Sequence, residues 1–301
     1  MTSRETTSQP TLGAILPYYG SKRSMADEIV AEIGPHRGWA ELFGGSLAVT
    51  LAKPVAGMEI VNDLYGDVIN LARVLASPFC EDLYGRVSRT LMAYPLHEEA
   101  KSHTAAPFEV APSVTEVGPE NVTRAYWFLV HSWQGINGVT GTGRGNMQVA
   151  RRFTVGGGHG AKRWRGVADS MPFWHERLRE VIIDQMNGID LAERLADDGT
   201  WVIYADPPYI EKGDSYVHDF TPEDHSRLAA VLSAKRNTRV LVSYYDHPEV
   251  RRLYRGWTVI DKSRTKALVN QGMRDTTGET VTAPEILLIN GPSLTQGGLF
   301  T

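Results

Sequence analysis

The sequence predicts an α/β fold built on a mostly parallel sheet, and three observations carry that reading. Short apolar runs alternate with amphipathic ones: GWAELFGG, SLAVTLA, GMEIVND and LYGDVINLARVLA read as strand, helix, strand and helix within residues 38–76. The apolar run WVIYA stops on Asp206-Pro207-Pro208-Tyr209. Two prolines cannot donate to a sheet ladder, and the first restricts Asp206 to an extended backbone, so a strand has to end there. Beyond it, Thr221 as N-cap, Pro222 at the first helical position, and Glu223 and Asp224 near the positive end of the dipole announce a helix.

The elements follow in order. SKRSMADEIVAEIGPH sets Met25, Ile29, Val30 and Ile33 on one helical face, with Ser21 or Ser24 as cap and Gly34-Pro35 as stop. From Ser77 to Asn121 the periodicity weakens, which reads as the start of an insertion. VTRAYWFLVHSWQGING reads as a buried helix, and MPFWHERLREVIIDQM as a helix running into a strand that returns the chain to the sheet. FTPEDHSRLAAVLSAK is the next helix. TRVLVSYYD, WTVIDKSR and APEILLIN are three further strands, and the last two lack a helix between them and so form an antiparallel hairpin at one edge.

Composition narrows the class. The 301 residues are 42% hydrophobic and 22% charged, ordinary for a soluble domain. A single cysteine, Cys80, supports no internal disulfide and no metal cluster. The opening MTSRETTSQP lacks the apolar core of a signal peptide, and no apolar run reaches membrane-spanning length, so a cytoplasmic protein is expected. The net charge of −4 is unevenly spread: residues 121–180 hold nine Lys/Arg against three acids, a local +6 that leaves −10 elsewhere. Tyr126, Trp127, Phe128, Trp133, Phe153 and Trp164, with the glycine-rich GINGVTGTGRGN and VGGGHG, share that stretch. Basic, aromatic and glycine-rich together describe a surface suited to a phosphate backbone, where basic charge alone is as readily a solvated face.

Four short motifs carry chemistry only in combination. YYGSKR, from Tyr18 to Arg23, is a glycine turn opening a helix without P-loop spacing. ELFGGS, from Glu41 to Ser46, is a glycine turn after the first strand where a cofactor can approach a helix start. It departs from the dinucleotide fingerprint at Leu47, near where a further glycine is expected. VND ends the second strand on Asp63, about twenty residues after that turn, where an acid takes ribose hydroxyls; alone, such a residue is more often a cap. The fourth is Asp206-Pro207-Pro208-Tyr209. His218, His225 and His247 lack metal-ligand spacing, and Ser46 lies in no nucleophile elbow.

In this order, YYGSK, ELFGG, VND, insertion and DPPY, the chain resembles the Dam-like family of DNA adenine-N6 methyltransferases, as do RAYWFLVHSWQGINGVTG, MPFWHERLREVIID, YVHDFTPEDHSRLAAVL and TAPEILLIN. The resemblance implies a class I methyltransferase fold: a mostly parallel seven-stranded sheet with an antiparallel edge hairpin and a mainly helical DNA-recognition insertion. It divides the chain into a first catalytic part (1–76), a target-recognition insertion (77–179) and a second catalytic part (180–301). It implies S-adenosylmethionine as methyl donor, held by Tyr18, Tyr19, Lys22, Phe43, Gly45, Asp63, Asp184 and Asp206. Lys22 would lie near the donor's carboxylate, Asp63 on its ribose and Asp184 at its adenine, with Asn187 and Asp190 as competing alignments.

In the catalytic corner of Asp206, Pro207, Pro208 and Tyr209, the carboxylate and the Pro207 carbonyl would accept the two N–H groups of an adenine amine. Tyr209 would stack on the extruded base. Double-stranded DNA is the implied partner, with Arg144, Arg151, Arg152, Lys162, Arg163 and Arg165 as candidate contacts and GATC as the target by analogy. No metal and no membrane are expected, and a monomer is. Phage or restriction systems are the settings in which the family serves self-protection. The rival readings are the same fold acting on RNA or the cytosine amine, and a DNA-binding relative that has lost catalysis. The second is opposed by the joint presence of Lys22, Asp63, Asp206 and Tyr209.

Overall fold

The structure is a computed structural model that describes residues 13–18, 21–108, 116–135, 159–210, 220–262, 264–265, 282–283 and 285–296. A 3-10 turn, Lys22–Ser24, leads into α1 (Ala26–Val30). There follow β1 (Gly38–Glu41), α2 (Ala48–Ala52), β2 (Met58–Asn62) and α3 (Gly66–Ala76), the alternation that the sequence announces. Four helices come next: α4 (Cys80–Arg89), α5 (Tyr94–His103), α6 (Pro119–Gln134) and α7 (Gly160–Leu178). The chain then re-enters the sheet through β3 (Ile182–Asp184), α8 (Gly188–Arg194), β4 (Trp201–Ala205), α9 (Pro222–Ala234), β5 (Arg239–Tyr245), α10 (Pro248–Leu253) and β6 (Thr258–Asp261). A small pair, β7 (Arg264–Thr265) with β8 (Thr282–Ala283), precedes the last strand, β9 (Glu285–Ile289).

Seven strands form one sheet in the order β3-β2-β1-β4-β5-β9-β6. The first five run parallel, while β9 is antiparallel to both β5 and β6, so the expected antiparallel edge is present. Alternation along the strands divides the core. Val202 and Tyr204 join Trp39, Met25, Ile29 and Leu287 under α1 and α2, whereas Ile203 and Ala205 face Ile189, Leu228 and Val250 of α8, α9 and α10. Helices thus cover both faces, and the Trp39 and Tyr204 rings stack with centroids 6.1 Å apart.

The capping expectations meet different outcomes. Thr221 and Asp224 form a reciprocal capping box on α9. Ser21 and Ser24 do not cap α1: Met25 holds that position, and the Ser21 hydroxyl instead meets the Ser46 hydroxyl at 2.8 Å. Among the three histidines, His225 is buried against the Tyr244 hydroxyl at 2.8 Å, His247 caps α10 by accepting the Glu249 N–H, and His218 lies outside the described residues.

Between α3 and β3 the sequence signal was weakest, and the structure holds two helices there that periodicity did not announce. Helix α4 buries only Cys80, Leu83 and Val87, and α5 only His97 and Ala100, too few apolar positions to mark a period. Helix α7 starts well before Met171 and carries Pro172 inside it. A glycine-rich approach and an internal proline both mimic a boundary. These helices pack on α3 in one apolar cluster that runs from Val61 and Leu71 to Trp133, Trp164 and Trp174. Two buried ion pairs tie them down. Arg124 donates to both oxygens of Asp67 at 2.6 and 2.8 Å, and Arg177 grips Glu59, whose carboxylate also receives Lys53.

Candidate active site

The strand order reverses beside β1: the chain leaves it toward β2 and β3 on one side, while β4 and β5 build the other. In open parallel sheets the crevice at such a switch point, beyond the carboxyl ends of the strands, is where ligands bind. Glu41 of β1 stands opposite Tyr204 of β4, so the glycine turn after β1 and the Asp-Pro-Pro-Tyr corner after β4 emerge side by side.

The glycine turn is held by the backbone of β2. Gly44 N–H donates to the Asn62 carbonyl at 2.7 Å, and the Gly45 N–H to Asp63 Oδ2 at 2.7 Å. Asp63 Oδ1 accepts the Tyr65 N–H at 2.8 Å, so this carboxylate braces the turn from the end of β2. Gly45 has φ +49°, and a Cβ there would stand 3.2 Å from the Tyr18 ring, so both conformation and space call for glycine. Leu47 follows with φ +56°. The residue that departs from the glycine pattern therefore keeps the glycine conformation, at a cost of roughly 1–2 kcal/mol offset by burial of its side chain. Phe43 leans on Gly188 at the start of α8 and meets Phe220 edge-on at 5.8 Å. The Tyr18 segment docks on this turn through the Ile15 N–H to the Ser46 carbonyl at 3.1 Å, and Trp133 of α6 secures it by donating to the Ile15 carbonyl at 3.0 Å.

Around Asp206 the charges converge. Lys22 Nζ lies 2.7 Å from Asp206 Oδ2 and 3.0 Å from Glu285 Oε1. The Tyr209 hydroxyl reaches Asp206 Oδ1 at 3.1 Å and Glu285 Oε1 at 2.8 Å. Burial alone would lower the Lys22 pKa, but the two carboxylates outweigh it and raise it above the ordinary lysine value. Asp206 is pushed up to about 6 by burial, against the pull of Lys22 and with a further push from Glu285. Glu41, wholly buried at the end of β1, is raised by burial to about 8, even though Thr50 donates both its N–H and its hydroxyl to Oε2. The Tyr209 ring is only 4% exposed, set against Tyr245 at 4.4 Å and Tyr244 at 5.7 Å, with Lys22 Nζ 5.2 Å from its centroid.

The structure brings Tyr18, Lys22, Phe43, Gly45, Asp63, Asp206, Pro207, Pro208 and Tyr209 to one end of the sheet. Asp184 ends β3 opposite Asn62, farther along the same edge. Its two competitors are engaged otherwise: Asn187 caps α8 by accepting the Ile189 N–H, and Asp190 pairs with Arg227 at 2.7 Å. Tyr19, Arg144, Arg151 and Arg152 lie outside the described residues. Lys162 and Arg165 are exposed on the first turns of α7, Arg165 3.7 Å from Asp169. Arg163 is half-buried, and its Nε has no hydrogen-bond partner among the described residues. Its charge is felt by Arg23, whose guanidinium sits 6.0 Å from the Trp133 ring centroid.

Sequence reading missed Glu285, and its signal was present. A strand antiparallel to β5 begins where the parallel strands end, so Glu285, the third residue of APEILLIN and the first of β9, lands at the ligand-binding edge, opposite Tyr245. Glu41 was read as part of the glycine motif, and its burial was visible only once α2 was seen to close over it. Cys80 is buried with its thiol pushed up to about 12, which leaves it unreactive. Among the described residues no group of His, Cys, Asp or Glu is placed to hold a metal, and no helix is long and apolar enough to cross a membrane.

Comparison with known proteins adds one strong finding. The model of the family described as D12 class N6 adenine-specific DNA methyltransferase matches residues 18–268. No curated protein matches the chain. Solved structures that resemble it include the rRNA methyltransferase aviRa from Streptomyces viridochromogenes, at 12% identity over 95% of this chain and 93% of that one, with a TM-score of 0.35 that carries no argument about activity.

Proposed function

The chain belongs to the D12 class of N6 adenine-specific DNA methyltransferases, and from that premise we propose that it moves a methyl group from S-adenosylmethionine to the N6 amine of an adenine extruded from duplex DNA. The observation that carries the reading is the convergence of the glycine turn and the Asp206-Pro207-Pro208-Tyr209 corner at the β1–β4 switch point.

The residues fit the donor. The Cβ-free surface of Gly45 beside Tyr18 is a cradle that any side chain would fill. Phe43 and Phe220 would supply an aromatic wall for a purine, and Asp63, at the end of β2, would accept ribose hydroxyls while it braces the glycine turn. S-adenosylmethionine supplies an electrophilic methyl on a sulfonium centre. The adenine amine is a poor nucleophile because its lone pair is delocalised into the ring. Asp206 and the Pro207 carbonyl each accept one N–H and favour a pyramidal nitrogen whose lone pair leaves conjugation and points at the methyl; the fixed φ of proline steadies the second acceptor. The N–C bond would form as the S–C bond breaks and the thioether product leaves, the amine giving up its surplus proton. Positioning supplies much of the rate. Asp206 acts as its anion, so with its pKa near 6 activity rises with pH through that region.

We assign DNA contact to the segment 77–179. Arg163 and Arg23, two guanidinium groups close enough for the charge of one to act on the other, the second of them beside Trp133, suit a phosphate. The test is expression in a host lacking DNA methylation, with modified bases read genome-wide by single-molecule sequencing. N6-methyladenine in one short motif is expected, and Asp206→Ala is expected to lose it by at least roughly 100-fold while still binding S-adenosylmethionine. Methylated cytosine, or modified RNA with unmodified DNA, would overturn the reading.

A further inference from the structure

The Asp206 carboxylate is engaged on both oxygens, Oδ2 by the Lys22 ammonium and Oδ1 by the Tyr209 hydroxyl, whose single proton it shares with Glu285. Each oxygen keeps a second lone pair, but a donor already held on it weakens it as the acceptor of an amine N–H. Glu285 touches the same two donors, Lys22 at 3.0 Å and the Tyr209 hydroxyl at 2.8 Å, both through Oε1. We propose that Glu285 is a positioning residue for methylation: it is the alternate acceptor that draws Lys22 and the Tyr209 hydroxyl off Asp206, leaving the Asp206 carboxylate open to the adenine amine. The inference rests on the methyltransferase reading and extends it to a residue outside the DPPY motif.

The exchange is a short one. Both donors are within hydrogen-bond distance of Glu285 before the base arrives, so neither loses a partner when Asp206 lets go, and no buried donor is left unsatisfied. The site stays electrically balanced. Lys22 neutralises one carboxylate, and the second charge is borne by whichever carboxylate the lysine has left. The groups that face Asp206 are Lys22 from the 3-10 turn, Glu285 from β9, Glu41 from β1, Tyr204 from β4 and Tyr209 from its own corner, so its titration reads Glu285 directly.

The test compares wild type with Glu285→Gln and Glu285→Asp, using purified full-length enzyme, unmethylated genomic DNA and S-adenosylmethionine, with N6-methyladenine measured by mass spectrometry across pH. In Glu285→Gln the two donors stay on Asp206, so kcat falls by roughly 10- to 100-fold with little change in S-adenosylmethionine affinity. The acid limb of the profile, near pH 6 in wild type, moves to lower pH, because burial still raises Asp206 but the like charge that added to it is gone. A structural defect alone would lower the plateau without that movement. Glu285→Asp keeps the charge and loses reach, so the plateau falls and the limb stays. Adding Tyr209→Phe to Glu285→Gln removes one competing donor and recovers part of the rate. The inference is overturned if the plateau is unchanged in both variants, or if Glu285→Gln slows with an unmoved limb. If Glu285→Gln fails to fold, a wild-type plateau in Glu285→Asp overturns it. Wild-type enzyme that makes no N6-methyladenine would sink the methyltransferase reading instead.

Discussion

Two charged regions of this molecule invite opposite conclusions from their composition. The catalytic end of the sheet belongs to the acidic part of the chain, yet its key lysine is held by two carboxylates and its key aspartate by two donors. Residues 121–180 carry +6, yet two of their arginines are turned inward: Arg124 onto Asp67 and Arg177 onto Glu59. Arg165 and Arg179 pair with acids on their own helix. Charge counted along a sequence therefore overstates a nucleic-acid footprint, and what remains after internal pairing is the better measure.

The largest expected effect tests the inward cations. Arg124→Ala leaves Asp67 buried without its partner, and stability falls by about 3–5 kcal/mol at neutral pH. The sign with pH is fixed by burial, which raises Asp67 above the ordinary aspartate value while Arg124 opposes it. Without Arg124 the folded-state pKa rises further. A group with a raised folded pKa favours the fold at low pH and loses that contribution as pH climbs through the pKa. The deficit of Arg124→Ala is thus greatest at neutral pH and shrinks on acidification, which thermal melts at several pH values read directly. A deficit independent of pH would remove Arg124 from the inward class.

The catalytic end is tested by Lys22→Met. Lys22 favours the charged form of Asp206, so its loss favours the protonated form and moves the acid limb of activity upward from about 6. The variant is expected to lose roughly 10-fold in rate at mildly acidic pH and to recover much of that at high pH. An unmoved limb would mean that Lys22 acts on the methyl donor alone.

Much of this was legible in the sequence, for reasons that differ by element. The prolines after Asp206 ended β4 by covalent geometry, and Thr221 with Asp224 set the start of α9 through local hydrogen bonds. Both signals are local. The order of short motifs gave the family because three of them mark the ends of strands in one sheet and the first, YYGSKR, leads into α1 beside them. Helices α4 and α5 escaped because their few buried residues pack against α6 and α7, which are distant in sequence. Glu285 escaped although the antiparallel edge was expected, because that direction puts the first residue of a strand and not its last at the ligand-binding end.

The smallest expected effect bears on what the basic segment has left over. Arg163 has its Nε buried and unpartnered among the described residues, and its charge adds to burial in depressing Arg23. Two guanidinium groups repel, and a phosphate between them turns that repulsion into attraction. Arg163→Ala should weaken duplex DNA binding by roughly 3- to 10-fold and reduce the slope of log affinity against log salt by about 1, with the sequence preference unchanged. Arg165→Ala, whose partner Asp169 already screens it, should alter the slope less. Titrating labelled DNA at several salt concentrations distinguishes the two. Equal slopes for both variants would mean that pairing inside the protein does not predict which cations reach DNA, and the contrast between the two charged regions would fail at the point where it makes its finest distinction.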